Sequence, residues 1–130
     1  MKCVVRMVVL LTLVNSTLAA EHTKDSLDTV KQKLKAGKAI LIDVREVSEW
    51  KAGHLQAAKL VPLSQLRDKA SRDKLAKDLP KKKIIYCHCR SGGRVLLATD
   101  ILVPEGFDIR PLKTGYSGLL KAGFAPAKKK

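Results

Sequence analysis

The chain has few aromatic residues and few cysteines. One tryptophan, two tyrosines and two phenylalanines among 130 residues leave no platform on which successive bases could stack. We therefore expect no nucleic-acid partner, although 26 Lys and Arg residues against 12 Asp and Glu give a net charge of +14. The three cysteines are not accompanied by a second cysteine-rich knuckle, which argues against zinc, so we predict neither a metal nor a cofactor.

Long apolar runs are also scarce, and the first one is too short to span a membrane. The run Met7–Val14 follows Lys2 and Arg6 and precedes small residues that end at Ala20. A transmembrane helix needs roughly 20 apolar residues, whereas this basic, apolar and small-residue order is typical of a secretory signal peptide. We predict a signal peptide over residues 1–20, a periplasmic or secreted protein, and no stable membrane anchor.

The rest of the chain reads as one basic domain. Residues 1–20 carry two basic residues and no acidic one, so their removal lowers the net charge from +14 to +12. A positive field of this kind attracts small anions. No internal repeat or linker divides the chain, so one domain is predicted over residues 21–130, with a basic frayed tail from about residue 127. We expect it to be a monomer.

Apolar runs alternate with helical patterns along this domain. The nearly continuous runs Ala39–Val44 and Lys83–His88 are typical of strands that are covered on both faces. This alternation predicts an α/β fold around a central parallel sheet flanked by helices, with the reactive site beyond the carboxyl ends of the strands. Shorter strands are predicted at 59–61 and 108–112, and helices after Ser26, over 46–53, within 64–79, over 94–103 and over 116–124.

The segment Tyr86–Arg94, YCHCRSGGR, occupies the position expected for a site, because it runs from a strand through a glycine-containing loop into a helix. Gly92 and Gly93 allow backbone N–H groups to approach a sulfur at Cys89, and the helix N-terminus adds positive potential. Such surroundings favour the nucleophilic thiolate and would also hold an anion. We predict Cys89 as the nucleophile, within an anion-binding loop formed by Arg90, Ser91, Gly92, Gly93 and Arg94.

A second cysteine, Cys87, lies two residues before Cys89. Along an extended strand the two Cα atoms would be roughly 6.6 Å apart, near the upper limit of roughly 6.8 Å for a disulfide. A bridge between them is therefore an oxidised state that would cost some strain. We predict that Cys87 is a small buried residue of the strand.

Two separated motifs resemble those of rhodanese-like sulfurtransferase domains. The first, LIDVREVSEWKAGHL, contains Asp-x-Arg and a Gly-His pair, and the second is the Cys-x-x-Gly-x-Arg loop. The closing segment Thr114–Pro126 is similar to the final glycine-rich turn and helix of that family. Phosphatases of the same fold have five residues between cysteine and arginine, whereas four separate them here. The matching residues are Asp43, Arg45, Gly53, His54, Cys89, Gly92 and Arg94.

The resemblance implies a sulfurtransferase that moves a sulfane sulfur from a small anionic donor such as thiosulfate to cyanide or a thiol. The sulfur would be carried as a persulfide on Cys89. We expect Asp43, Arg45 and His54 to be structural residues near the site, the first two as an ion pair and the third through hydrogen bonding. Two alternatives remain: a non-catalytic module of the same fold that senses anions or binds a partner, and a thiol–disulfide redox protein that uses Cys87 and Cys89.

Overall fold

Four parallel strands form the centre of the protein. The computed structural model describes residues 19–129. In chain order the strands are β1 (Ala39–Asp43), β2 (Ala58–Leu60), β3 (Ile84–His88) and β4 (Asp108–Pro111). They lie in the order β2-β1-β3-β4, and each neighbouring pair is parallel. The predicted α/β architecture with a central parallel sheet is confirmed.

Helices connect the strands and cover the sheet. The predicted helix after Ser26 is confirmed, because the Ser26 hydroxyl accepts a hydrogen bond from the amide of Thr29 (3.1 Å) and so caps the first turn. The helices are α1 (Leu27–Lys35), α2 (Val47–Ala52), α3 (Leu63–Leu66), α4 (Lys69–Lys77), α5 (Arg94–Leu102) and α6 (Tyr116–Lys121), with a 3₁₀ turn at Val103–Glu105.

The two central strands are apolar on both faces because helices cover each face of the sheet. One face carries Ile42, Ile85 and Cys87 and packs against α3, α4 and α5. The other carries Leu41 and Tyr86 and packs against α1 and α6. A fully buried Leu or Ile side chain stabilises a fold by about 1.5–3 kcal/mol. Burial of β1 and β3 therefore fixes the strand ends from which the candidate site is built.

Several boundaries differ by one to three residues from those expected from the sequence, and the helix predicted over 116–124 already ends at Lys121. The helix predicted to run to residue 103 ends at Leu102, and Pro104 lies inside the following 3₁₀ turn, where its missing N–H costs no α-helical hydrogen bond. Strand β2 lies one residue earlier than the predicted 59–61. Pro111 closes β4, which pairs only with β3 and is therefore an edge strand in the described sheet.

Both ends of the chain bear on the sequence predictions. The predicted signal peptide lies almost wholly outside the described residues, since the structure describes only its last two positions, so it stays a prediction. Within residues 19–129, no helix has the length and apolar character needed to cross a membrane. At the other end, the amide of Ala127 donates to the carbonyl of His54 (2.8 Å), which ties the start of the basic tail to the domain.

Candidate active site around Cys89

Cys89 directly follows β3, at the carboxyl end of the sheet. Its side chain is 1% exposed, so the sulfur lies at the base of the loop that leads into α5. Within that loop Gly92 is buried, whereas Arg90, Ser91 and Gly93 are exposed and form the rim. The structure thus brings the predicted nucleophile and the predicted loop together.

The backbone of Gly92 supplies the polar contact to the sulfur. Its N–H donates to Sγ of Cys89 across 3.1 Å. Gly92 has a φ of +87°, and a Cβ added there would lie 2.6 Å from the carbonyl oxygen of Lys113, so only glycine fits. Because α5 begins at Arg94 with Gly93 as its N-cap, the positive end of that helix faces the same loop. Both features can stabilise negative charge that develops at this sulfur.

The side chain of Arg94 is held by a residue outside the loop. Its Nη1 and Nη2 donate to Oε1 and Oε2 of Glu49 at 2.5 and 2.9 Å. These bonds are the main reason why the pKa of Glu49 is lowered from 4.5 to about 2. The sequence analysis placed Arg94 in the anion-binding loop, and the structure adds that its charge is paired with Glu49 of α2; its role in anion binding stays a prediction.

Glu49 was missed by the sequence analysis, although a local signal existed. Glu46 and Glu49 form a capping box at the start of α2, in which Oε1 of Glu49 accepts from the amide of Glu46 (3.2 Å). The spacing Glu-x-x-Glu before a short helix could have revealed that contact. It could not have revealed the pairing with Arg94, which lies 45 residues further along the chain.

Asp43 and Arg45 form the ion pair expected at the end of β1. Nη2 of Arg45 lies 2.8 Å from Oδ2 of Asp43, and both side chains are buried. The backbone amide and Nε of Arg45 also donate to Asp43, and Nη2 donates to the carbonyl of Gly53 (2.8 Å). The pair therefore fastens the strand end to the segment that precedes His54. The expected ion pair is therefore present and its polar groups are satisfied, while its purely structural role stays a prediction.

His54 is occupied by contacts with α2. Its Nδ1 donates to the carbonyl oxygen of Trp50 across 2.9 Å, and the two rings stack with centroids 3.6 Å apart. The carbonyl oxygen can only accept, so Nδ1 carries the proton. The structure supports the predicted hydrogen-bonding role of His54.

The turn before α6 closes over the loop. The amide of Tyr116 donates to the carbonyl of Cys89 (2.9 Å), and the guanidinium of Arg45 lies 4.3 Å from the centroid of the Tyr116 ring. A Cβ added at Gly115 would lie 1.8 Å from the carbonyl oxygen of Arg90, so the two backbones are in direct contact. The sequence analysis matched this segment to the family without assigning these roles, which depend on contacts between distant parts of the chain.

His88, immediately before Cys89, is fully buried beside Asp43. Its Nε2 lies 3.7 Å from Oδ2 of Asp43 and has no hydrogen-bond partner among residues 19–129. Burial lowers the pKa of His88 in spite of the neighbouring carboxylate. The ring is therefore neutral at physiological pH and adds no positive charge beneath the loop.

Cys87 differs from Cys89 in its surroundings. It is fully buried, its Sγ lies 3.9 Å from the carbonyl oxygen of Val95, and burial raises the pKa of its thiol to about 12. Both cysteines are free thiols in the structure, without the strained bridge considered from their spacing. The prediction that Cys87 is a small buried residue of the strand is confirmed.

The fold and the site together define an α/β protein with a cysteine-centred loop at the carboxyl end of a parallel sheet. The Rhodanese-like domain family model matches residues 26–122. The chain belongs to the rhodanese-like domain family, and the predicted membership is confirmed. A human single-domain sulfurtransferase, TSTD1, has a similar structure, with a TM-score of 0.63 and 28% identity over 75% of this chain and 94% of that one.

Curated relatives have varied descriptions. The uncharacterized protein YqhL of Bacillus subtilis is 36% identical over 65% of this chain and 66% of its own length. The tRNA uridine(34) hydroxylase of Chlamydia trachomatis is 33% identical over 63% of this chain and 29% of its own length. The putative sulfur carrier protein YrkF of Bacillus subtilis is 30% identical over 72% of this chain and 48% of its own length. The chain thus spans less than two thirds of the length of these three relatives.

Proposed function

We propose that the chain is a sulfurtransferase in which Cys89 carries the transferred sulfur as a persulfide. The observation that carries the proposal is the Gly92 N–H, which points at Sγ of Cys89 from 3.1 Å in the loop before α5. An N–H donor and a helix N-terminus stabilise a thiolate and a persulfide anion in the same place. Similarity to a human single-domain sulfurtransferase and to a putative sulfur carrier protein supports the same chemistry.

The proposed reaction has two steps that balance without an external oxidant or reductant. In the first, the Cys89 thiolate attacks the outer sulfur of thiosulfate. A new S–S bond forms, the S–S bond of thiosulfate breaks, and its electron pair leaves with sulfite. In the second, cyanide or a thiolate attacks the terminal sulfur and returns Cys89 to the thiolate. Negative charge stays near the sulfur in both steps, where the Gly92 N–H can stabilise it.

The buried position of the Cys89 sulfur and the net positive charge of the chain favour small anionic donors. The sulfur of Cys89 lies at the base of the loop, behind the exposed residues Arg90, Ser91 and Gly93. A slim donor whose reactive sulfur is terminal suits such a position better than a bulky one. The excess of basic residues over the whole chain, 26 against 12, raises the encounter rate with anions.

Matched alanine variants of the two cysteines test the proposal. Cys89→Ala should abolish thiosulfate:cyanide sulfurtransferase activity. Cys87→Ala should keep most of it, because the buried Cys87 thiol stays protonated at neutral pH. Mass spectrometry after thiosulfate treatment should find one added sulfur atom, and peptide mapping should place it on Cys89. Circular dichroism of both variants checks that each is folded.

The two alternatives give different results in the same experiment. A folded, reduced protein that gains no sulfur from thiosulfate, an organic persulfide or a thiosulfonate would refute the sulfurtransferase and favour an anion-binding module. Equal loss of activity in both cysteine variants would favour a redox dithiol.

A further inference from the structure

The residues just before α1 reach the Cys89 loop. We call residues 21–25 the N-terminal strap. The strap precedes residues 26–122, which match the family model, so its contacts are additional to the matched region. The imidazole of His22 in this strap contacts Gly92, which lies 70 residues away along the chain.

Two further contacts hold the strap in place. The amide of Thr23 donates to the carbonyl of Pro111, at the end of β4 (2.8 Å). Oδ2 of Asp25 accepts from the hydroxyl of Tyr86 (2.7 Å) and from Nη1 of Arg110 (2.9 Å). These groups lie on β3 and β4, so the strap is fastened to the same sheet that presents Cys89. Because His22 lies next to Thr23, the position of its ring is restricted.

The contact of His22 bears on the residue that touches the sulfur. Nε2 of His22 lies 2.6 Å from the carbonyl oxygen of Gly92. The carbonyl can only accept, so Nε2–H is the donor. The N–H of the same Gly92 donates to Sγ of Cys89. Gly92 is therefore held at its carbonyl by His22, and a Cβ added to it would lie 2.6 Å from the carbonyl oxygen of Lys113.

We propose that His22 is a positioning residue that holds the Gly92 carbonyl and so restricts the backbone around the N–H that points at the Cys89 sulfur. That N–H and the carbonyl belong to the two peptide groups on either side of the Gly92 Cα. Glycine has the widest conformational freedom of any residue, so a donor on the carbonyl limits the rotations at Gly92 that would let the N–H turn away. His22 does not touch the sulfur and acts only through Gly92. As a contribution to sulfur transfer, this role rests on the function proposed above.

Two replacements of His22 test the role. His22→Ala removes the donor. His22→Gln retains one, because the glutamine amide nitrogen reaches about as far as Nε2 of histidine. Lys24→Ala, at an exposed position of the same strap, is the matched control. The first readout is the ultraviolet absorbance of the Cys89 thiolate at neutral pH. It is the absorbance of each protein minus that of the same protein with Cys89→Ala added. It requires no sulfur donor. The second readout is kcat and KM for thiosulfate.

We expect His22→Ala to lower the thiolate signal, and to lower kcat/KM by about 3- to 10-fold, the range for loss of one hydrogen bond. His22→Gln should recover most of both losses, and Lys24→Ala should match the unaltered protein. An unchanged thiolate signal in His22→Ala, or equal losses in the Ala and Gln variants, would overturn the inference. If the unaltered protein transfers no sulfur while its thiolate signal still responds as described, the sulfurtransferase proposal fails and the positioning of Gly92 by His22 stands.

Discussion

Replacing Glu49 with Gln should weaken the fold, because Glu49 holds Arg94 from outside the Cys89 loop. The substitution keeps the shape of the side chain but removes the charge that pairs with Arg94 at 2.5 and 2.9 Å. A pKa lowered from 4.5 to about 2 corresponds to about 3 kcal/mol at ~1.4 kcal/mol per tenfold change. The two side chains are 28% and 30% exposed, so solvent screening reduces this value, and we expect a loss of about 1–2 kcal/mol.

The same pair predicts how the loss depends on pH. The pKa of Glu49 is lower in the folded than in the unfolded chain, so the unfolded chain takes up the proton first as the pH falls. The stabilisation is therefore complete above about pH 4.5 and is lost as the pH falls toward about 2. The unaltered protein and the Glu49→Gln variant should differ at neutral pH and converge near the lower limit.

Urea unfolding followed by circular dichroism at neutral and at acidic pH measures both quantities. Asp73→Asn is the matched control, because it neutralises a carboxylate whose pair with Lys69 (2.7 Å) is exposed, and it should leave the unfolding midpoint unchanged. The reasoning is refuted if Glu49→Gln unfolds like the unaltered protein at neutral pH. It is also refuted if the deficit has the same size at both pH values.

Two further predictions concern packing and a buried phenol. Gly115→Ala should lower Tm and reduce the free energy of unfolding by about 1–3 kcal/mol, because the added Cβ would clash with the Arg90 backbone. Gly93→Ala should leave Tm unchanged, because a Cβ there has no atom within 4 Å and the φ of Gly93 is −88°. Equal Tm values for the two variants would contradict this account. Burial and the nearby Asp25 carboxylate raise the pKa of Tyr86 to about 12. Alkaline ultraviolet titration should therefore show a tyrosine that ionises only at this high pH, and Tyr86→Phe should remove that transition. If the transition persists in the variant, it belongs to another residue.

The sequence predicted what local patterns determine. The apolar runs at β1 and β3 predicted the central strands, and the glycines after Cys89 predicted a tight loop before a helix. It could not predict which distant groups hold that loop. Glu49 and Arg94 are 45 residues apart, and His22 and Gly92 are 70 apart. Such pairs form because the tertiary fold brings distant segments together. No periodicity in a single sequence links one segment to the other, so the sequence could not predict them.

The contrast between the two cysteines has a consequence for the proposed reaction. Cys87 lies inside β3, where burial raises the pKa of its thiol to about 12, whereas Cys89 lies just beyond the strand, where an N–H reaches its sulfur. At neutral pH Cys87 stays a thiol, and a thiol is a poor nucleophile toward a persulfide. A persulfide on Cys89 would therefore not be resolved from within the chain into a Cys87–Cys89 disulfide and sulfide. The persulfide would persist until an external thiophile entered the loop. This persistence is required of a protein that transfers sulfur to another molecule.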